Sequence, residues 1–233
     1  MAGRTRIKAA SYNLHGLKQG VSYLMSLCHE YDVVFIQEHW LAPFDLSSMD
    51  DINNDMVCYS SSAMDNVIEK GCLKGRPFGG VAVFVKNSLA TKTRLTKAAA
   101  RYIILQFNDT IFINVYLPCK SSADREEELT DCLASVLHDL TSIQFSDDIF
   151  GGDLNIDFAD TDYCRDMLLS FAEELDLKFV DNKLTGDKNT LRVESSGAAS
   201  AIDHFAVTKN LYDFINAVTV INSGINLSLS NFI

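Results

Sequence analysis

Asp32-Val33-Val34-Phe35-Ile36-Gln37-Glu38 is the stretch on which the fold turns. Its apolar run is nearly continuous instead of alternating, the pattern of a short strand covered on both faces. It stops abruptly in polar residues, Gln37-Glu38-His39-Trp40. The same shape recurs along the chain. Ile7 to Tyr12 reads as a first strand ending at Asn13-Leu14-His15-Gly16, and Ile149-Phe150 runs into Gly151-Gly152-Asp153-Leu154-Asn155. Gly79 to Lys86 and Tyr102 to Phe107 are β-rich runs, and Thr110 to Leu117 is another, closed by Pro118. Thr190 to Val193, Ala201 to Val207 and Val218 to Ile221 complete the set as short strands.

Between these runs the period changes. Val21, Leu24, Met25 and Cys28 fall at helical spacing after Gly16. Leu129, Leu133, Val136, Leu137 and Leu140 line one side of a helix over 126–140, and a further helix is expected over 162–175. Mostly strands, with a few helices inserted, predict an α/β fold: two packed, mostly antiparallel sheets flanked by helices, four layers in all. The 233 residues contain no internal repeat or linker and read as one domain spanning 1–233.

Composition agrees. Hydrophobic residues make up 47% and charged residues 22%, enough to fill a core and unlike a disordered chain. No apolar run approaches the ~20 residues needed to cross a bilayer, and no apolar segment follows the charged N-terminus. These features predict a nuclear or cytoplasmic protein that is neither secreted nor membrane-bound. The six cysteines form no CxxC pair and no zinc-type cluster, so they are expected as reduced, mostly buried thiols. The net charge of −11 opposes non-specific DNA binding, which relies on Lys and Arg neutralising phosphates. Clustered carboxylates become a phosphate site only once they hold a divalent cation.

Polar residues stand repeatedly at strand ends: Asn13, Glu38, Asn114 with Tyr116, Asp153 with Asn155, and Asp203. Taken in order, Ser11-Tyr12-Asn13-Leu14-His15-Gly16, Ile36-Gln37-Glu38-His39-Trp40, Ile113-Asn114-Val115-Tyr116-Leu117-Pro118, Gly151-Gly152-Asp153-Leu154-Asn155 and Ala201-Ile202-Asp203-His204-Phe205 resemble the motif series of the endonuclease/exonuclease/phosphatase family, whose fold is DNase I-like. Any one motif is common; all of them in family order carry the resemblance. Gln37-Glu38-His39-Trp40-Leu41, the run over 79–85 and Ser223-Gly224-Ile225-Asn226-Leu227-Ser228 resemble the endonucleases of LINE-type (non-LTR) retrotransposons.

The resemblance implies a Mg²⁺-dependent (or Mn²⁺-dependent) phosphodiesterase that nicks DNA, leaving a 3′-hydroxyl. By resemblance Glu38 is the main metal ligand and Asn13 its partner. Asp153 positions and deprotonates the attacking water, and Asn155 fixes the phosphate or the aspartate. Tyr116, sharing a strand face with Asn114, reaches the scissile phosphate. Asp203 orients a catalytic histidine. Taken singly, each residue has an ordinary explanation: a strand-terminal acid, an Asx turn, a core tyrosine, a capping aspartate. Gly151-Gly152 is expected to clear space for substrate. His39, His204 and Arg192 are weaker candidates for phosphate contacts.

The sequence departs from the family at its end. The family pattern closes with Ser-Asp-His and one more strand, whereas Ser228 is followed by Leu229-Ser230-Asn231-Phe232-Ile233. The five histidines stand at 15, 29, 39, 138 and 204. The expectation is a C-terminally truncated domain with its last strand missing and its nicking weakened. The alternatives are a degenerate member keeping fold and metal or nucleic-acid binding, and a family phosphatase acting on phosphoinositides or nucleotides.

Overall fold

The strand that opens the argument becomes β2 (Val33–Gln37), all of whose residues are buried. Its two faces meet different neighbours. Val33 and Phe35 enter an apolar layer with Val83, Val85, Ile103, Leu105 and Phe112, while Val34 and Ile36 pack with Leu24 and Leu27 of a helix. A continuous apolar run is the only pattern that satisfies both contacts.

A computed structural model describes residues 6–69, 72–73, 75–185, 189–193 and 198–221. The first sheet holds β1 (Ala9–Asn13), β2, β3 (Met56–Ser61) and β4 (Val81–Lys86) in the order β1-β2-β4-β3. β1 and β2 are parallel and the other pairs antiparallel. The second sheet holds β5 (Thr93–Ala98), β6 (Tyr102–Phe107), β7 (Thr110–Tyr116), β8 (Asp147–Asp153), β9 (Leu177–Phe179) and β10 (Asp203–Thr208) in the order β9-β10-β8-β7-β6-β5. Only β7 and β8 run parallel there.

Helix α1 (Leu17–Glu30) covers the first sheet. Helices α2 (Arg125–Leu140) and α3 (Tyr163–Glu174) cover the second, with Leu129, Leu133, Val136, Leu168 and Phe171 against Ile111, Ile113, Val115 and Phe150. The four-layered sandwich is therefore as expected. Each fully buried side chain of this size contributes roughly 1.5–3 kcal/mol. Asp162 caps α3 by accepting from the Arg165 amide at 2.9 Å, and Glu126, Glu127 and Glu128 put negative charge at the α2 N-terminus.

The structure also holds strands with no apolar run to announce them. β3 and β5 are edge strands with mostly half-exposed or exposed side chains, so their sequences lack an apolar signature. The segments expected over 190–193 and 218–221 form strands outside the two main sheets. Leu191–Val193 pairs with Ala198–Ser200, and Val218–Thr219 with Leu184–Thr185. Cys28, Cys58, Cys119, Cys132 and Cys164 are free thiols. Among the described residues no helix is long and apolar enough to cross a membrane.

Candidate active site

Strand register brings the motif residues together. In the first sheet Asn13 stands opposite Gln37, so Glu38 follows at the same rim. In the second, the parallel ladder sets Tyr116 opposite Asp153, and the antiparallel ladder sets Asp153 opposite Asp203. Three ladders thus end side by side, and the gap between the sheets opens there.

Asn13 joins the two sheets. Its Nδ2 donates to Glu38 Oε1 and to Asp153 Oδ2, each at 2.8 Å. Two carboxylates can be bridged only by the amide nitrogen, which settles the orientation of the side chain. Its Oδ1 accepts from the His15 amide at 3.1 Å. Glu38 Oε2 accepts from Trp40 Nε1 at 3.0 Å and faces His15 Nδ1 at 3.6 Å. Asp153 Oδ1 accepts from the Asn155 amide at 3.0 Å, and Asn155 Nδ2 donates to the Leu117 carbonyl at 2.9 Å. Asn155 therefore holds the aspartate and ties its loop to the end of β7. Arg125 braces the same loop, donating to the Asn155 carbonyl at 3.0 Å.

The electrostatics separate the groups. Burial works against the Glu38 charge, but hydrogen bonds from His15 and Asn13 outweigh it and hold the carboxyl down at about 2. Burial raises Asp153, and the nearby Glu38 charge adds to this against the Asn13 bond. Burial raises Asp203 too, reinforced by Asp153. Tyr116 is pushed far up by burial and by the Glu38 and Asp153 charges, so its phenol stays protonated and hydrogen-bonds Glu38. His15 is raised, chiefly by its bond to Glu38, with the Glu38 and Asp153 charges adding to this against burial.

The backbone is bent here as well. Among the described non-glycine residues, His15 (φ 46°), Glu38 (φ 55°), Trp40 (φ 58°) and Asn155 (φ 52°) adopt the left-handed conformation at this rim. Such conformations cost energy and persist where neighbours enforce them. Two backbone bonds do so, from Glu38 N to the Gly80 carbonyl at 2.8 Å and from Trp40 N to the Gly79 carbonyl at 3.0 Å.

Several residues singled out in the sequence are enclosed by the protein itself. Asn114 does not reach the rim. It is wholly buried between the sheets, donating to the Ile36 and Ala82 carbonyls at 2.9 Å and accepting from Gln37 Nε2 at 2.7 Å. With Ser11, which bonds Gln37 at 3.1 Å, it forms a polar strut beneath the site. Gly151 and Gly152 make room for neighbouring protein atoms. A Cβ on Gly151 would lie 2.5 Å from the Phe205 ring, and one on Gly152 2.1 Å from the Val115 carbonyl.

His39 and His204 are engaged by other protein groups. His39 is buried, with Nε2 2.9 Å from the Ser61 carbonyl and Nδ1 accepting from the Leu41 amide at 3.0 Å. The His204 ring lies 2.6 Å from Asp181 and 2.8 Å from the Ile156 carbonyl, and Phe158 packs on it at 4.3 Å. It holds the loop after Asn155. The Arg192 side chain and residues 222–233, with the Ser223–Ser228 motif and the divergent tail, lie outside the described residues.

His15, Gln37, Trp40 and Arg125 are site residues that sequence reasoning did not single out. His15 carried a signal, since it stands two residues after Asn13 within the first motif. Gln37 and Trp40 carried one too, flanking Glu38 within the second motif, whereas Arg125 becomes visible only through Asn155 and Asp162, distant in sequence.

The sequence profile of the Endonuclease/Exonuclease/phosphatase family matches residues 10–224, and the chain belongs to this family. No curated protein matches the chain. Solved structures share its fold. An AP endonuclease, LMAP, from Leishmania major is similar with a TM-score of 0.75 at 14% identity, covering 97% of this chain and 86% of that one. A 3′ phosphatase, NExo, from Neisseria, bound to a product DNA hairpin, is similar with a TM-score of 0.71 at 16% identity, covering 97% of both chains. The endonuclease domain of TRAS1, a telomere-specific non-LTR retrotransposon, is similar with a TM-score of 0.67 at 14% identity, covering 97% of this chain and 96% of that one.

Proposed function

We propose that this chain is a metal-dependent phosphodiester hydrolase that nicks DNA in the manner of a retrotransposon endonuclease. The observation that carries this reading is the convergence of Asn13, Glu38, Tyr116, Asp153, Asn155 and Asp203 on one rim, from strands of both sheets. In this reading Asp153, with its carboxyl raised by burial, accepts the proton of the attacking water. Asn13 and Asn155 hold its two oxygens in place. The protonated phenol of Tyr116 and the imidazole of His15 meet the developing negative charge on the phosphoryl group.

The residues fit a hard divalent cation of the Mg²⁺ or Mn²⁺ type. Glu38 is ionised and stands at the opening, with His15 only partly covering it. Among the described residues no three His, Cys, Asp or Glu side chains form a metal cage. An ion here would rest on Glu38 and keep most of its water, as Mg²⁺ commonly does. Asn13 uses its Oδ1 on the His15 amide, so it supports Glu38 more than it offers a ligand. A bound cation would supply positive charge against the phosphoryl oxygens.

A second reading, a family member that keeps the metal site with little turnover, draws support from Leu229-Ser230, which stand where the family pattern has Asp-His after Ser228. Supercoiled-plasmid nicking, run beside phosphate release from phosphomonoesters, separates the readings. Nicking that requires Mg²⁺ or Mn²⁺ supports the first, metal binding without turnover the second, and phosphate release alone a phosphatase. Calorimetric titration with Mn²⁺ should show binding that Glu38→Gln removes. Equal binding by both proteins places the ion elsewhere.

A further inference from the structure

A cleft of about 460 Å³ opens beside Glu38 and Tyr116, walled by Trp40, Phe78, Arg101 and Glu128. Its size suits a small ligand. Resting on the reading of the chain as a DNA-cutting hydrolase, we propose that this cleft takes one unpaired nucleobase of the cut strand, stacked against Phe78 and Trp40.

The lining decides between base and phosphate. Glu38 and Glu128 are acidic, and the charge of Arg101 is already committed. Its guanidinium bonds Glu128 at 2.8 Å and lies over the Tyr116 ring at 5.8 Å. Away from Glu38, whose charge serves the cation in that reading, a backbone phosphate would find no uncommitted positive charge in these walls. A neutral base offers a π-face to the aromatics and amino donors to the carboxylates. The chain's net charge of −11 points the same way, because affinity for a strand must then come from stacking more than from phosphate neutralisation.

The aromatic walls are prearranged. Phe78 is 45% exposed, although burial is the rule for phenylalanine. It precedes Gly79 and Gly80, whose carbonyls accept the Trp40 and Glu38 amides. Positive φ at both glycines (59° and 85°) and the His39 ring, 2.4 Å from where a Gly80 Cβ would stand, hold that loop in place. The Trp40 indole packs on Gly16 and is pinned by its bond to Glu38. Trp40 is thus fixed beside Glu38, and Phe78 extends from the loop whose carbonyls bond both residues.

The test uses single-stranded oligonucleotides carrying 2-aminopurine at successive positions, bound in the Asp153→Asn background so that no strand is consumed. One position should lose fluorescence on binding through stacking. Adding Phe78→Ala should restore that fluorescence and weaken binding by about 5- to 150-fold, the range of a lost base–aromatic stack. Adding Phe78→Tyr should preserve both signals. A tetrahydrofuran abasic residue at the quenched position should bind the Phe78-intact protein about as weakly as the normal strand binds Phe78→Ala. Unchanged quenching and affinity in Phe78→Ala overturn the proposal, and so does equal binding of abasic and normal strands. Plasmid nicking by the native chain distinguishes the two levels. Nicking without quenching removes the cleft assignment alone, whereas absence of both strand binding and nicking removes the nuclease reading and this proposal with it.

Discussion

Asp148 and Asp153 occupy the two ends of β8, and both are buried. Burial raises both carboxyls above the usual range. Their surroundings differ completely. Asp153 accepts from Asn13 and Asn155 and stands opposite Asp203. Asp148 is 0% exposed, and neither of its oxygens has a hydrogen-bond partner among the described residues. Strand parity accounts for the difference. Asp153 faces the gap between the sheets, where the first sheet delivers Asn13. Asp148 shares the Phe150 face, which packs on the apolar sides of α2 and α3. A raised carboxyl therefore records burial, and only the convergent donors and left-handed backbone distinguish the site.

The sharpest way to break this comparison is to neutralise each aspartate in turn. Asp153→Asn should lower metal-dependent nicking by ~10³, the size expected for losing a positioned general base. Asp148→Asn should leave nicking within about twofold, since it touches no reacting group. Equal losses from both would mean that the apparent site is only one of two buried acids.

Gly152→Ala should have the next largest effect. The new methyl would meet the Val115 carbonyl at 2.1 Å and the strut side chains Asn114 and Gln37 at 3.0 Å, with φ at +132°. Backbone cannot yield as a flexible side chain does, so a loss of ~2–4 kcal/mol in unfolding free energy is expected. A urea midpoint equal to that of the native chain would show that the strut is loose.

Asp148→Asn should have a smaller effect on stability, and one that depends on pH. Burial lifts the folded-state carboxyl to about 7 from an ordinary value of 3.8. Between those values the folded protein keeps a proton that the unfolded chain releases. Stability falls as pH rises from about 4 to about 7, then levels off. The asparagine does not titrate, so the variant should gain relative to the native chain across that window. Its advantage at pH 8 over pH 4 should be on the order of 2–3 kcal/mol, at 1.4 kcal/mol per unit less relaxation around the buried group. Parallel pH profiles of the melting midpoint would show that water reaches Asp148.

Much of this molecule was legible in order along the chain. Apolar runs closed by Asn13, Glu38, Tyr116 and Asp153, and one opened by Asp203, announced buried strands with polar ends, and helical spacing placed α2 and α3 within a residue or two. Parity also put Asn114 and Tyr116 on one face. Legibility failed wherever the answer depended on the opposite surface. Asn114 shares that face with Tyr116, yet it meets the Ile36 and Ala82 carbonyls one strand pair below the rim. His204, adjacent to Asp203, points away into Asp181 and Phe158.

The sequence by itself determined the element types, the four-layered sandwich and the family, because apolar periodicity and short motifs are local properties that survive without knowledge of neighbours. The tertiary structure alone decided which polar residues meet. Strand register and sheet packing set those distances, and a carboxylate has one chemistry opposite Asn13 and another on the apolar face of Phe150.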